Sequence, residues 1–187
     1  MAVEPGADLE VARAEHLLTL RRFVEAEARA RSILTQDPED PAAMRVLATA
    51  VTDQGRYHDA LPLARRLVTA VPDAAAGYLL LSEVYSGLGD CEMALAVARQ
   101  ALRVDAMDPG SHYAVADRLS TMSYTEDGEA LQHAERAVAL APHVPDAHNL
   151  VGMILLASDQ LDEAEAAFRR ALAIDPGYAP AHVNLAG

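Results

Sequence analysis

The chain has no tryptophan, no lysine and a single cysteine, Cys91. One thiol excludes an intrachain disulfide framework and fits a reducing compartment, which points to the cytoplasm. Aromatic residues make up only 4% of the 187 residues, while hydrophobic residues make up 51%. A core of Ala, Leu and Val with few rings suits closely packed helices and argues against a β-sandwich. Positive charge is also scarce. The 15 basic residues, all Arg, face 28 Asp and Glu, for a formal net charge of −13. Nucleic acid needs a basic stripe and anionic lipid a basic surface, so both are excluded as expected partners. The longest apolar stretch, Leu150–Ala157, is too short to span a bilayer. Met1–Gly6 carries neither the basic start nor the apolar core of a secretory signal.

What the sequence does contain is repetition. Helical patterns open at Pro41, Ala75, Pro109, Pro145 and Ala179, at spacings of 34, 34, 36 and 34 residues, and counting back another 34 reaches Ala7. Small residues recur at the eighth place of each repeat: Ala14, Ala48, Ser82, Ala116, Gly152 and Ala186. Alanine recurs at the twentieth, as Ala26, Ala60, Ala94, Ala130 and Ala164, and Pro38, Pro72, Pro142 and Pro176 stand at place 32, where repeat 3 has Ala106. Larger apolar residues such as Leu47 with Val51 and Leu81 with Tyr85 are spaced by four, which puts each pair on one helix face. Asp37-Pro38 and Asp175-Pro176 stop helices, because proline disfavours helical geometry in the residue before it. Gly55 and Gly89 suit tight reversals between helices.

This pattern resembles the tetratricopeptide repeat over nearly the whole chain. The resemblance implies an all-α fold, a right-handed α-solenoid of about five helix–turn–helix repeats plus one extra helix. It forms a single domain over residues 1–187, because one repeat cannot bury its own apolar face and must stack on its neighbours. First helices (A) are expected near 8–19, 41–53, 75–87, 109–121, 145–157 and 179–186. Second helices (B) are expected near 22–36, 57–70, 91–104, 128–140 and 161–174. Pro62 lies a turn into the second B helix, so a late start or a kink is expected there. The two extra residues of repeat 4 fall within 121–127, as a tolerated turn insertion. The pattern breaks off inside a sixth repeat at Gly187, which points to a fragment of a longer chain.

No motif calls for catalysis, a cofactor or a metal. His112, His148 and His182 share place 4 of successive A helices. Equivalent residues of neighbouring helices stand about 8–10 Å apart, whereas zinc holds each nitrogen at about 2.0–2.1 Å. Packing between repeats, where Met44 and Tyr78 also stand, is the expected role. Gly87-Leu-Gly-Asp90 lacks the third glycine, the preceding strand and the cation of a phosphate loop. Cys91 shares its place with Phe23, Tyr57 and Leu161, which points to packing and not to redox chemistry.

The resemblance also implies that A helices line a concave groove through places 2, 5, 9, 12 and 13. Carried onto this chain, the candidate peptide-binding residues are Glu15, Arg45, Thr49, Asp53, Leu79, Glu83, Tyr113, Asp117, Asn149, Met153 and Leu156. The family's carboxylate clamp for chaperone tails needs Lys and Asn at places 5 and 9. Repeat 2 has Arg45 but Thr49, so that ligand is not expected. Acids at place 9 make the groove negative, and Met153 and Leu156 offer an apolar end. The expected function is an adaptor for a protein or peptide with Arg or Lys beside apolar anchors. The alternatives are homo-oligomerisation through the C-terminal helix, or a regulatory arm of a larger enzyme or membrane-anchored protein.

Overall fold

A computed structural model describes residues 5–122 and 128–186. The described residues form eleven α-helices and no strand. The A helices are α1 (Pro5–Thr19), α3 (Pro41–Asp53), α5 (Ala75–Gly87), α7 (Pro109–Thr121), α9 (Pro145–Ala157) and α11 (Ala179–Ala186). The B helices are α2 (Phe23–Gln36), α4 (Tyr57–Ala70), α6 (Cys91–Val104), α8 (Glu129–Leu140) and α10 (Leu161–Ile174). Tandem helix–turn–helix repeats are therefore the architecture. Most of the 121–127 insertion, residues 123–127, lies outside the described residues. No helix among the described residues is long and apolar enough to cross a membrane.

The fold divides within α6 into two compact units, residues 1–97 and 98–187. In the first, α1, α3 and α5 touch in succession; in the second, α7, α9 and α11 do so. Neither α2 with α4 nor α8 with α10 makes such a contact among the described residues. The A helices are therefore the crowded inner layer of each unit, and the B helices the outer one.

The crossings explain the small residues. Ala14, Ala48, Ser82 and Ala116 are fully buried at place 8, and so are Ala26, Ala60 and Ala94 at place 20. Place 8 of the last A helix, Ala186, is exposed. At Gly152 a Cβ would stand 2.5 Å from Cε1 of Phe168. Phe168 is itself 2% exposed and contributes about 1.5–3 kcal/mol of apolar burial. Repeats 2 and 4 have Ala64 and Ala134 at the place of Phe168, and there alanine serves at place 8. The ring and the glycine are one packing solution.

Between A and B helices the chain repeats one turn. Gly55 has φ 72° and Gly89 φ 79°, while Arg21 at φ 57° and Asp159 at φ 61° occupy the same place without being glycine. Around Gly55 its N–H donates to the Thr52 carbonyl (2.8 Å) and Arg56 N–H to Val51 (3.2 Å). That pair of bonds is the Schellman closure of a helix end. The same pair closes α1, α5 and α9, through Arg21 and Arg22, Gly89 and Asp90, and Asp159 and Gln160. At helix starts, Asp40 Oδ1 accepts from Ala42 N–H (2.9 Å) and Ala43 N–H (3.1 Å), and Asp108 Oδ2 accepts from Ser111 N–H (2.7 Å). Each aspartate precedes a proline at the first helical place, the arrangement that satisfies helix N–H groups with no donor lost.

Two expectations are corrected. Helix α4 starts on time at Tyr57 and runs through Pro62, so the late start does not occur; the packing of Ala60, Ala64 and Leu67 into the core outweighs the lost donor. Cys91 is exposed and not packed. It is the first residue of α6, and the ring of Tyr57, at the equivalent place, instead lies over Gly87, where a Cβ would clash with it.

Candidate functional site

In the first unit the expected groove residues lie on the inner helices. Arg45 of α3 forms an ion pair with Glu15 of α1, so these two candidate charges offset each other. Thr49 and Leu79 are half-buried and Glu83 is exposed. Partial burial pushes the Asp53 carboxyl up, opposed by the charge of Arg21.

In the second unit the inner face carries a denser arrangement. Places 2, 5, 9 and 12 of α9 are Asp146, Asn149, Met153 and Leu156, one stripe at helical spacing. Met153 and Leu156 are each 44% exposed. Asn149 is only 6% exposed and its amide is engaged: it accepts from Asn184 Nδ2 (2.9 Å) and donates to Met153 Sδ (3.4 Å). Asn149 thus fixes the stripe and positions Met153. On the neighbouring α7, Asp117 pairs with Arg118 at 2.8 Å.

Beside this stripe opens a cleft of about 330 Å³. Pro109, Gly110, Ala137, Ala141, Val144 and Ala147 supply its apolar walls, and Tyr113 and Asp146 its polar groups. Asp146 Oδ1 accepts from the Tyr178 hydroxyl at 2.9 Å. Burial first, then the charges of Asp117 and Asp146, push the Tyr113 hydroxyl up to about 12, against the opposing charge of Arg118. The Tyr178 hydroxyl is raised by burial, by its bond to Asp146 and by the Asp146 charge. Burial is the larger cause at both tyrosines; the exposed Asp146 carboxylate itself is the group that favours a cation there. Asp146 and Tyr178 were not among the sequence candidates. Asp146 stands at place 2, which the resemblance marks as groove-lining, so its signal was present; Tyr178, on the loop ending repeat 5, had none.

The three place-4 histidines do one job. Ring Nε2 of His112, His148 and His182 lies 3.2, 3.0 and 2.8 Å from the carbonyls of Ala106, Pro142 and Pro176. Each ring donates back to a carbonyl of the loop before its own helix, and so ties that loop to the helix it precedes. With Nε2–H committed, neutral His112 accepts at Nδ1, so His133 Nδ1, 2.9 Å away, is the donor. Burial, then His112, lowers the His133 pKa; Glu129 opposes this and Arg99 adds to it. No group of three or more His, Cys, Asp or Glu among the described residues is placed to hold a metal ion.

Comparison with known proteins decides the lineage. Tetratricopeptide repeat models match residues 11–75 and 128–179, and a second such model matches 75–106. The chain belongs to the tetratricopeptide repeat family. Over 96% of its length it superposes on 97% of a thermophilic TPR protein of Thermus thermophilus, with a TM-score of 0.85 and 26% identity. YrrB, a TPR protein with an unusual peptide-binding site, shares the fold at 17% identity and a TM-score of 0.65, over 95% of this chain and 91% of that one. A Triticum aestivum Hsp70-Hsp90 organizing protein is 30% identical over 111 residues, 59% of this chain but only 19% of that protein.

Proposed function

We propose that the chain is a protein–protein interaction scaffold acting in the cytoplasm, and that the inner face of its second unit binds a segment bearing apolar side chains beside Arg or Lys. Family membership supports the scaffold role, since the helices are spent on building a surface and not on assembling reactive groups. The carrying observation is Met153 and Leu156, two apolar side chains each 44% exposed on the same face of α9 as Asp146. A partner laid along α9 covers the apolar pair and brings cations to Asp146 and, in competition with Arg118, to Asp117 on α7. The chaperone-tail ligand of the family's carboxylate clamp is disfavoured. Its acidic end would meet these carboxylates, and Arg45, the cation nearest a clamp position, is already paired with Glu15.

The test is capture from the native lysate by three proteins of equal helicity: wild type, Met153→Ser/Leu156→Ser and Asp117→Arg/Asp146→Arg. A partner held by wild type and lost from the variants supports the reading, and its binding segment is then synthesised and titrated. Equal capture by all three overturns it. A second reading, self-association, rests on Val183, which is 70% exposed on α11; sedimentation velocity of wild type against Val183→Glu decides it.

A further inference from the structure

The cleft beside Asp146 lies where repeat 4 carries two small residues, Ala137 and Ala141; the first alanine recurs in repeats 3 and 5 as Ala101 and Ala171, and only the second is peculiar to repeat 4. In repeat 2 these places hold Leu67 and Val71, which join the core, and Leu67 packs over Gly77 at about 3.6 Å from where a Cβ would stand. Repeat 4 has Ala137 and Ala141 there, facing Ala147. Repeats 1, 3 and 5 use the second place differently. Asp37, Asp105 and Asp175 each accept a backbone N–H two residues on, at 3.1, 2.8 and 2.9 Å. Ala141 provides neither the filling of repeat 2 nor the turn bond of the others. The result is an apolar cleft of about 330 Å³, within the size of small-ligand sites, which start at roughly 300 Å³. Asp146 stands at its edge, exposed. One oxygen accepts from Tyr178, and a carboxylate has further lone pairs to offer.

We propose that this cleft is an anchor subsite, taking one large aliphatic side chain of a bound protein segment while the adjacent Arg or Lys of that segment pairs with Asp146. The inference rests on the scaffold reading above and names the chemistry it recognises. Charge complementarity selects the occupant: the exposed Asp146 carboxylate repels an acidic neighbour and attracts a basic one. The apolar walls select the aliphatic group, and an apolar side chain there replaces the Leu67 and Val71 that repeat 2 supplies for itself.

The experiment uses the full chain with alanine and methionine methyl groups labelled for NMR. The probes are acetyl-Leu-Arg-amide, acetyl-Leu-Glu-amide and acetyl-Gly-Arg-amide. The Leu-Arg probe is expected to shift the Ala137, Ala141 and Ala147 methyl signals saturably, with the other two about tenfold weaker or worse. The variant Ala137→Leu/Ala141→Val copies the residues of repeat 2. It is expected to keep its helicity, gain thermal stability and lose the response. Silence at the three alanines, an unchanged response in the filled variant, or equal binding of Leu-Arg and Leu-Glu probes overturns the proposal. The two readings separate cleanly. A partner segment that needs Met153 and Leu156 but ignores the filled cleft sinks the subsite alone. A cleft that binds the probe while the Met153→Ser/Leu156→Ser variant captures everything that wild type does sinks the wider reading alone.

Discussion

Replacing Gly152 with alanine sets two opposing effects against each other. Alanine in place of glycine inside a helix gains about 1 kcal/mol, because less backbone freedom is lost on folding. The new Cβ, however, would stand 2.5, 2.6 and 2.9 Å from three ring atoms of Phe168. The ring is 2% exposed and cannot turn out into solvent. Overpacking of a core costs about 1–3 kcal/mol, and three simultaneous clashes place this one near the top, roughly 3 kcal/mol. The expected net effect is a loss of about 2 kcal/mol. In a Phe168→Ala background, itself weaker by about 3–5 kcal/mol, the sign reverses. The clash is gone and the same substitution stabilises by about 1 kcal/mol. Ala48 with Ala64 and Ala116 with Ala134 already show that an Ala–Ala pair suits this crossing. Urea unfolding of the four proteins of this cycle, followed by far-UV circular dichroism, measures the coupling, expected near 3 kcal/mol. If Gly152→Ala stabilises in both backgrounds, the argument that Phe168 demands a glycine is wrong.

Three other consequences can be measured on the same chain. Asp159, at φ 61°, stands where repeats 2 and 3 use glycine, so Asp159→Gly should stabilise by about 1 kcal/mol, and a lower melting temperature would contradict the shared turn. The lowered pKa of His133 makes its contribution to stability present above its unfolded value of about 6.5 and lost as pH falls through the folded pKa. Wild type should therefore lose more melting temperature than His133→Leu between about pH 7.5 and 5.5, and equal losses would show that the His112–His133 contact is not the titrating element. Glu27, 13% exposed at its side chain, accepts from Arg31 and Arg56 at 2.8 Å each and from Gln54 at 2.9 Å. Burial raises its pKa, but the bonds from Gln54 and Arg31 and the Arg56 charge outweigh it and leave it lowered. Glu27→Ala should cost about 1–3 kcal/mol at neutral pH, and the difference should vanish as acid takes the pH through that lowered pKa; a difference that persists in strong acid would refute the electrostatic account.

The candidate site was only partly legible beforehand. The family resemblance placed Met153 and Leu156 on the groove-lining face of the A helix, and both are exposed on α9. It placed Asn149 on that face as well, but could not show that the amide is spent on Asn184 and Met153. Place-9 acids suggested a negative groove, yet Glu15 is matched by Arg45, thirty residues away, and Asp117 by its neighbour Arg118. Ala137 and Ala141 read as ordinary helix residues; only the space they leave beside Asp146 makes them a candidate site.

The sequence by itself determined most helix boundaries to within a few residues and the small residues that recur at the crossings. Those properties are local: proline and aspartate at a helix start, a left-handed residue at its end, and small side chains every repeat at the same place. Tertiary structure decided what the surface presents. Whether a carboxylate is compensated, a ring hydrogen-bonded or a gap left unfilled depends on side chains brought together from separate helices. Periodicity says which face a residue occupies, and only packing says what stands opposite it.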